Sequence, residues 1–573
     1  MFKKIKNYLK VKKDFVFIFL IVLLGIPTSV NLLRPGYFSM HDDIQAIRLY
    51  EMERCLLDGQ VPCRWSPDMP AGYGQPLYNF YSVFPYYTGV SLRIFNLQFI
   101  DIAKILFLFT LIPSGIFMYL LVKEFFGRPA GLIGAIFFLY APYHAIDSYV
   151  RGALAEAFAI TFFPLIFLSI YKLIKEEKIG WLVSLVFSLS AVFLSHNIMN
   201  MIMSPFVVLW VIFCLVYLKK IRALPKILLG LLWAMGISSF FLIPAFLEKK
   251  YVTIESLMMN YYDFHLHFVT KGQLLFSRYW DYGPSAGVNS RMSFQIGWPH
   301  WWMIIAVIPF LIFFLKKKVQ IDKVLMTVFF VFMFLVSSFF THSKSLFLWE
   351  SIPMLPFVQF PWRFLGAITF SCSFVAGAVF YFFQNAFKKK VLSATLFVLL
   401  IASVIGLNYS YFRPQYFYEW MTDEYKFSWK EMPGQMKSAM LDYLPKTVKK
   451  VPEELAPLSP WTIEGKADIS EFAKRSDFWR FTVDVQGNIP AIVKVPVLDF
   501  PRWKVFDNSQ EVSFSNDNQE GVIQIKILPG KHTIVGWFED TPIRKVANLI
   551  SLFSFASLVC LVVIKGKKGE NTI

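Results

Sequence analysis

His41, Asp42 and Asp43 bring an imidazole and two adjacent carboxylates together a short way beyond the first long apolar run of the chain. Neighbouring carboxylates suit a general base or a divalent-cation site. Asp is also ordinary at the start of a helix, and residues 44–56 read as helical, so a structural role stands beside the chemical one. A second group, His144, Asp147, Arg151 and Glu156, falls where the chain re-enters an apolar stretch. Ionisable groups at membrane depth are functional suspects. The forked guanidinium of Arg151 suits a phosphate, and Glu156 suits either an ion pair with it or a second base or metal carboxylate. Interfacial anchoring by an Arg-Glu pair is the plainer alternative. His196 and Asn197 sit between two apolar runs with almost no loop, as ligands or as a helix cap. Arg363 opens another run, where it either snorkels to the interface or binds a lipid phosphate. A further loop mixes aromatics with Asp263, His265, His267 and Lys271, a composition shared by sugar-binding and membrane-interface surfaces.

These groups need elements to hold them, and composition says which. The 573 residues are 56% hydrophobic, 18% aromatic and only 17% charged, with mean hydropathy +0.50. That excludes a purely soluble enzyme. Apolar runs at 15–33, 102–122, 129–143, 153–171, 180–194, 199–218, 225–246, 301–315, 324–340, 364–387, 391–407 and 546–564 are each close to the length that crosses a bilayer. About twelve transmembrane helices are expected. The run 78–99 is apolar but interrupted by Pro85 and Arg93, and is read as interfacial. Residues 15–33 follow a Lys-rich start without a small-residue cleavage site, which favours a retained signal anchor.

The formal net charge of +18 would suggest nucleic acid if it formed a stripe. Instead Lys and Arg gather in knots between alternate apolar runs, at 3–13, 123–128, 172–178, 219–226, 316–323, 388–390 and 565–568. Positive loops belong in the cytoplasm. The expectation is therefore a multi-pass cell-membrane protein with both termini cytoplasmic and no claim on nucleic acid. Under this topology all eight histidines fall on the outer side or at its edge.

The expected organisation is a transmembrane domain over 1–407 with outer loops 34–101 and 247–300, an extracytoplasmic β-rich domain over 408–545, and a last helix with a basic tail over 546–573. Alternating apolar and polar residues at 481–485, 493–497 and 523–527, with turn signals at Asp507-Asn508 and Pro529-Gly530, read as strands of a small β-sandwich. Cys55 and Cys63 share the first outer loop, either as a disulfide or as two free thiols. No P-loop, GxGxxG or HExxH motif occurs, so ATP-driven transport, nicotinamide chemistry and HExxH-type zinc hydrolases lose support.

The outer acidic pair after a first span, the Arg-Gly-Ala-Leu-Ala-Glu stretch from Arg151 to Glu156, the Ser-His-Asn at 195–197, the Phe-Pro-Trp-Arg ending at Arg363, and the late Phe-Pro-Arg-Trp-Lys-Val and Leu-Pro-Gly-Lys-His stretches together resemble the YfhO-like bacterial membrane proteins. These include the family labelled 6-pyruvoyl-tetrahydropterin-synthase-related, and both resemble the multi-spanning glycosyltransferases of the GT-C fold. The synthase label is not an activity here, because a pterin synthase needs a compact zinc-binding histidine cluster and these histidines are scattered over separate loops.

What the GT-C resemblance implies is sugar transfer on the extracytoplasmic face from a polyprenyl-phosphate donor to an envelope glycan, lipid or protein. Asp42 and Asp43 match the catalytic acidic position, as base or as ligands of a divalent cation such as Mg or Mn. Carried over by location, Arg151, His196 and Arg363 face the donor phosphate and Glu156 supports them, with His41, Asn197 and His265 as further substrate contacts. A transporter or flippase of lipid-linked saccharides, or a noncatalytic scaffold, is the rival reading. The near absence of charge within the apolar runs favours chemistry at one face over alternating access.

Overall fold

The structure is a computed structural model that describes residues 2–287, 290–438 and 442–570, with side chains described within 13–564. It is mostly helical, with a β-sheet region towards the C-terminus. Among the described residues nine helices are long and apolar enough to cross a bilayer: Lys13–Leu32, Phe99–Phe126, Leu154–Glu176, Asn197–Tyr217, Trp298–Lys316, Ile321–Thr341, Pro361–Phe387, Lys390–Tyr411 and Pro542–Ile564. Two bent helix pairs raise this to as many as eleven. The twelfth expected run is the helix Ile179–Ser195, whose 17 residues stand at the short end of the lengths that cross a bilayer. Every apolar run of the sequence is thus helical, and the difference from twelve lies in length and straightness. The interrupted run at 78–99 breaks into short pieces, Leu77–Phe80, Phe84–Ser91 and a 3-10 turn at Leu92–Phe95.

One bend shapes the site. The helices Arg128–Leu139 and Pro142–Arg151 meet at 43°. Proline has no N–H to continue a helix and pushes the residue before it into extended backbone. Ala141, just before Pro142, accordingly sits at φ -65°, ψ 133°.

Two compact units divide the chain. The first holds residues 1–43, 103–234 and 258–420. Its central pillars are Leu154–Glu176 and Pro361–Phe387, each 94% buried along its apolar window. Hydrophobic all round, such helices belong inside a bundle. Aromatic contacts knit them to their neighbours, with Phe330 stacked on Phe374 at 3.7 Å and Phe167 edge-on to Phe370 at 5.0 Å. Glycine lets Arg128–Leu139 run close against Pro361–Phe387. A Cβ on Gly377 would stand 2.8 Å from the Ala130 carbonyl oxygen, and one on Gly134 3.1 Å from that of Ser373.

The second unit gathers three separated segments, 44–102, 235–257 and 421–573. Its strands run β1 (Trp461–Glu464), β2 (Ala467–Lys474), β3 (Phe478–Val485), β4 (Ala491–Leu498), β5 (Trp503–Asp507), β6 (Gln510–Val512), β7 (Val522–Ile527) and β8 (Gly530–Phe538). They form a five-stranded sheet in the order β2-β3-β8-β5-β6 and a three-stranded sheet in the order β1-β4-β7, with antiparallel pairing throughout. Alternate residues Trp479, Phe481, Val483 and Val485 of β3 share a core with Val493, Val495 and Val497 of β4, as the period-two pattern requires. Trp65, Tyr73 and Phe80 from the early segment join that same core. Cys55 and Cys63 are joined by a disulfide, with Cα atoms 5.7 Å apart.

Candidate functional site

The site lies wholly within the first unit and is built from the irregular stretch between two spans. Residues Ile146–Arg151 form a short π-helix, a geometry that recurs at functional positions. It ends at Gly152 with φ +70°, and the next helix starts at Leu154. Glycine is required there, because the backbone is left-handed and the space is taken. A Cβ at 152 would stand 2.3 Å from the Met40 sulfur and 3.2 Å from the Asp42 carbonyl oxygen.

That close approach docks the acidic segment. The backbone N–H of His41 donates to the Val150 carbonyl at 2.9 Å, and that of Asp42 to the Arg151 carbonyl at 2.7 Å. Asp42 is thereby fixed beside Arg151 although the two are remote in sequence. Its carboxylate is 48% exposed, with the His41 Nδ1 at 3.7 Å, and Asp43 is half-buried.

Behind this segment lies a buried ion cluster. Arg151 Nη1 donates to Asp147 Oδ1 at 2.6 Å and to Glu156 Oε2 at 3.0 Å. Arg363 Nε donates to the same Glu156 oxygen at 3.3 Å, and Tyr143 OH donates to the other. Glu156 is 1% exposed and stands in the first turn of its helix, where the N-terminal dipole favours an anion. One carboxylate thus ties a guanidinium from its own stretch of chain to another 207 positions away. Each guanidinium also faces a ring, Arg151 over Trp362 at 4.6 Å and Arg363 over Phe360 at 4.7 Å, and those two rings stack at 4.8 Å. Arg363 Nη1 donates to the Val358 carbonyl and to Gln359 Oε1. Among the described residues Nη2 of both arginines has no hydrogen-bond partner. Asp42 is close enough to act electrostatically on both.

The other expected residues scatter. His196 caps the helix Asn197–Tyr217, its Nδ1 accepting from the Met199 N–H at 3.0 Å, and it lies within electrostatic range of Glu156 and both arginines. Asn197 is exposed in the first helical turn. His265 is exposed and pairs with Asp263 at 2.6 Å and Glu350 at 3.8 Å. Its neighbour His267 is the one that reaches the aromatic floor, edge-on to Phe360 at 4.5 Å. The His267 ring nitrogens face the carbonyls of Tyr261 at 2.6 Å and Ser285 at 3.2 Å. Burial pulls the pKa of that ring below its ordinary value. His144 is buried against Phe138 rather than in the ion cluster. Sequence reasoning passes over Tyr143, Phe360 and Trp362 as site members and singles out His265 rather than His267 from their shared loop, while Phe-Pro-Trp-Arg is the stretch that points at Phe360 and Trp362.

Among the described residues no three His, Cys, Asp or Glu side chains come together as a metal cage. Asp42 and Asp43 offer two carboxylates, a donor set that fits a hard cation completed by phosphate and water.

No family model matches the chain. A curated protein of Lactococcus lactis subsp. cremoris, described as uncharacterized, is 23% identical over 243 residues, which is 41% of this chain and 40% of that protein's length. Among solved structures, ArnT from Cupriavidus metallidurans bound to undecaprenyl phosphate aligns at TM-score 0.41 and 11% identity, over 68% of this chain and 63% of that one. The archaeal oligosaccharyltransferase AglB from Archaeoglobus fulgidus aligns at 0.40 and 11%, over 70% and 56%. The mycobacterial arabinofuranosyltransferase AftD aligns at 0.43 and 12%, over 72% and 28%. The chain therefore spans less than two thirds of each of these proteins, and alignment at this level assigns no activity to it.

Proposed function

We propose that the chain is a membrane glycosyltransferase that moves a sugar from a polyprenyl-phosphate donor to a hydroxyl-bearing acceptor on the extracytoplasmic face. The observation that carries the reading is the position of the half-exposed Asp42 carboxylate, held by a backbone hydrogen bond to Arg151 beside two guanidiniums that keep Nη2 donors to spare.

The chemistry divides along that geometry. Asp42, or Asp43 beside it, takes the proton of the acceptor hydroxyl. The acceptor oxygen bonds to the anomeric carbon as the bond from that carbon to the phosphate oxygen breaks. The electron pair leaves with the polyprenyl phosphate, whose gathering charge is met by Arg151 and Arg363. Glu156 holds both arginines in position before the donor arrives, so little reorganisation is needed at the moment of reaction. Asp42 and Asp43 would hold a magnesium or manganese ion together with the donor phosphate, and such an ion would neutralise charge on the leaving group. The one-sidedness of the histidines, against basic loops between alternate spans, supports a site outside and both termini in the cytoplasm.

The test is sugar transfer by purified protein in lipid discs from a panel of polyprenyl-phosphate sugars, with Asp42→Asn and Asp43→Asn compared. Turnover that falls by about 100-fold or more in either variant supports the reading. No turnover with any donor, together with movement of the same lipids between leaflets, overturns it in favour of a flippase.

A further inference from the structure

A groove of about 590 Å³ opens in the first unit near the C-terminal end of the helix Leu154–Glu176, whose first turn holds Glu156. There the helix Asn197–Tyr217 also ends and Leu224–Ile237 begins. Three cations line the groove, Lys219, Lys220 and Arg222, with Glu177 as its one acidic residue. Glu177 is already engaged by Lys220 at 3.3 Å and by Lys226 at 2.5 Å. Among the described residues Lys219 and Arg222 have no ion-pair partner. The 3-10 turn Ile221–Ala223 leads into a helix N-terminus, where the first N–H groups have no intrahelical acceptor and the dipole favours an anion. Cavity, unpaired cations and helix start all call for negative charge at the same place.

The apolar side of the groove says what carries that charge. Val216 and Ile221 line it and are 64% and 67% exposed. Below Val216 the same helix exposes Val208, Leu209 and Ile212, a continuous stripe at helical spacing, and the helix after the groove exposes Leu228, Leu229 and Leu232 in the same way. An aliphatic track running from a cationic mouth along two apolar helices suits a molecule with a phosphate at one end and acyl chains at the other. A free phosphate would use the mouth and ignore the track.

We infer that the groove at Lys219 and Arg222 is a binding site for an anionic phospholipid, with the lipid phosphate between the two cations and its chains along the exposed stripes. Basic pockets between helices hold anionic headgroups in this manner, at roughly a fivefold gain in binding for each cation. The inference is independent of the transferase reading, since it uses none of the same residues.

The experiment is native mass spectrometry of the full-length protein released from discs of phosphatidylcholine with a minority of phosphatidylglycerol. The wild type should keep phosphatidylglycerol in preference to phosphatidylcholine. Lys219→Gln with Arg222→Gln should lower that preference by roughly 25-fold, taking about fivefold from each cation. A preference unchanged in the double variant overturns the inference. So does removal of the bound lipid by millimolar inorganic phosphate, which would make the site one for free phosphate. Glu177→Gln removes the internal competitor and should strengthen retention, a gain that a misfolded variant cannot mimic.

Discussion

Glu156 stands at the centre of the buried cluster, and replacing it with glutamine keeps the shape while removing the charge. Two guanidiniums, 10% and 8% exposed, would then lose the carboxylate they share, with Asp147 still bonded to Arg151 alone. Breaking a buried pair costs about 3 to 5 kcal/mol, because the remaining charge is left without compensation. Glu156→Gln should therefore lower the unfolding temperature in detergent by a few degrees, and an unchanged melt would show that the cluster is not held as described. A second carboxylate gives a pH dependence. Burial, then the charge of Asp68, pushes Glu51 up to about 8, although Ser66 and the Asp68 N–H donate to it. The folded second unit keeps that proton between the ordinary carboxylate value of 4.5 and about pH 8, whereas the unfolded chain releases it. Stability from this group is thus fully present below the ordinary value and falls as pH rises, by at most about 1.4 kcal/mol per pH unit, levelling above about pH 8. Denaturation followed from acid to mildly alkaline pH should show the slope, and Glu51→Gln should flatten it. Arg151, Glu156 and Arg363 are legible as suspects in the sequence because charge is rare in apolar runs. Their meeting is not, since Glu156 and Arg363 lie 207 positions apart and no local pattern encodes that. Nor does the sequence separate His265 from His267, because two residues of an irregular loop point opposite ways only once it is folded.

At the level of elements, Gly152 is the hinge pin between the acidic segment and the re-entering helix. Gly152→Ala must fit a Cβ within 2.3 Å of the Met40 sulfur. It must also hold left-handed backbone, so that the whole change costs about 2 kcal/mol or more. The expected outcome is a loss of turnover at least as large as the loss of stability predicts, since Asp42 is pushed from Arg151. Turnover kept at wild-type level would contradict the docking. The apolar runs foretell every long helix because a bilayer-length run has few other options. Their bends are hidden, since Pro142 reads equally well as a helix start. The β-strands at 481–485, 493–497 and 523–527 and both turns appear where period-two alternation and turn chemistry put them. Strand β5 escapes a sequence reading, for its Trp-Lys-Val alternation is too short to stand out.

On the scale of the whole molecule the second unit is assembled from segments that hydropathy alone reports as an outer loop, a helix end and a late domain. Burial of Trp65 and Phe80 with β3 and β4 joins the early chain to its late strands, which composition cannot reveal. The disulfide locks the earliest of these segments. Closing so short a loop is worth about 2.5 kcal/mol on the chain-entropy account. Cys55→Ser with Cys63→Ser should lower stability by that order, read by chemical denaturation under non-reducing conditions, and an equal midpoint would mean the bridge adds nothing.

The interleaving also sets a timetable for biosynthesis. Residues 44–102 leave the ribosome long before β8, so Trp65, Tyr73 and Phe80 wait without their partners while most of the spans are inserted. During that interval the segment is a candidate client for holding chaperones and proteases. A chain stopped after Trp420 would prolong the wait indefinitely, and should be cut within residues 44–102 by a protease that leaves the completed protein intact.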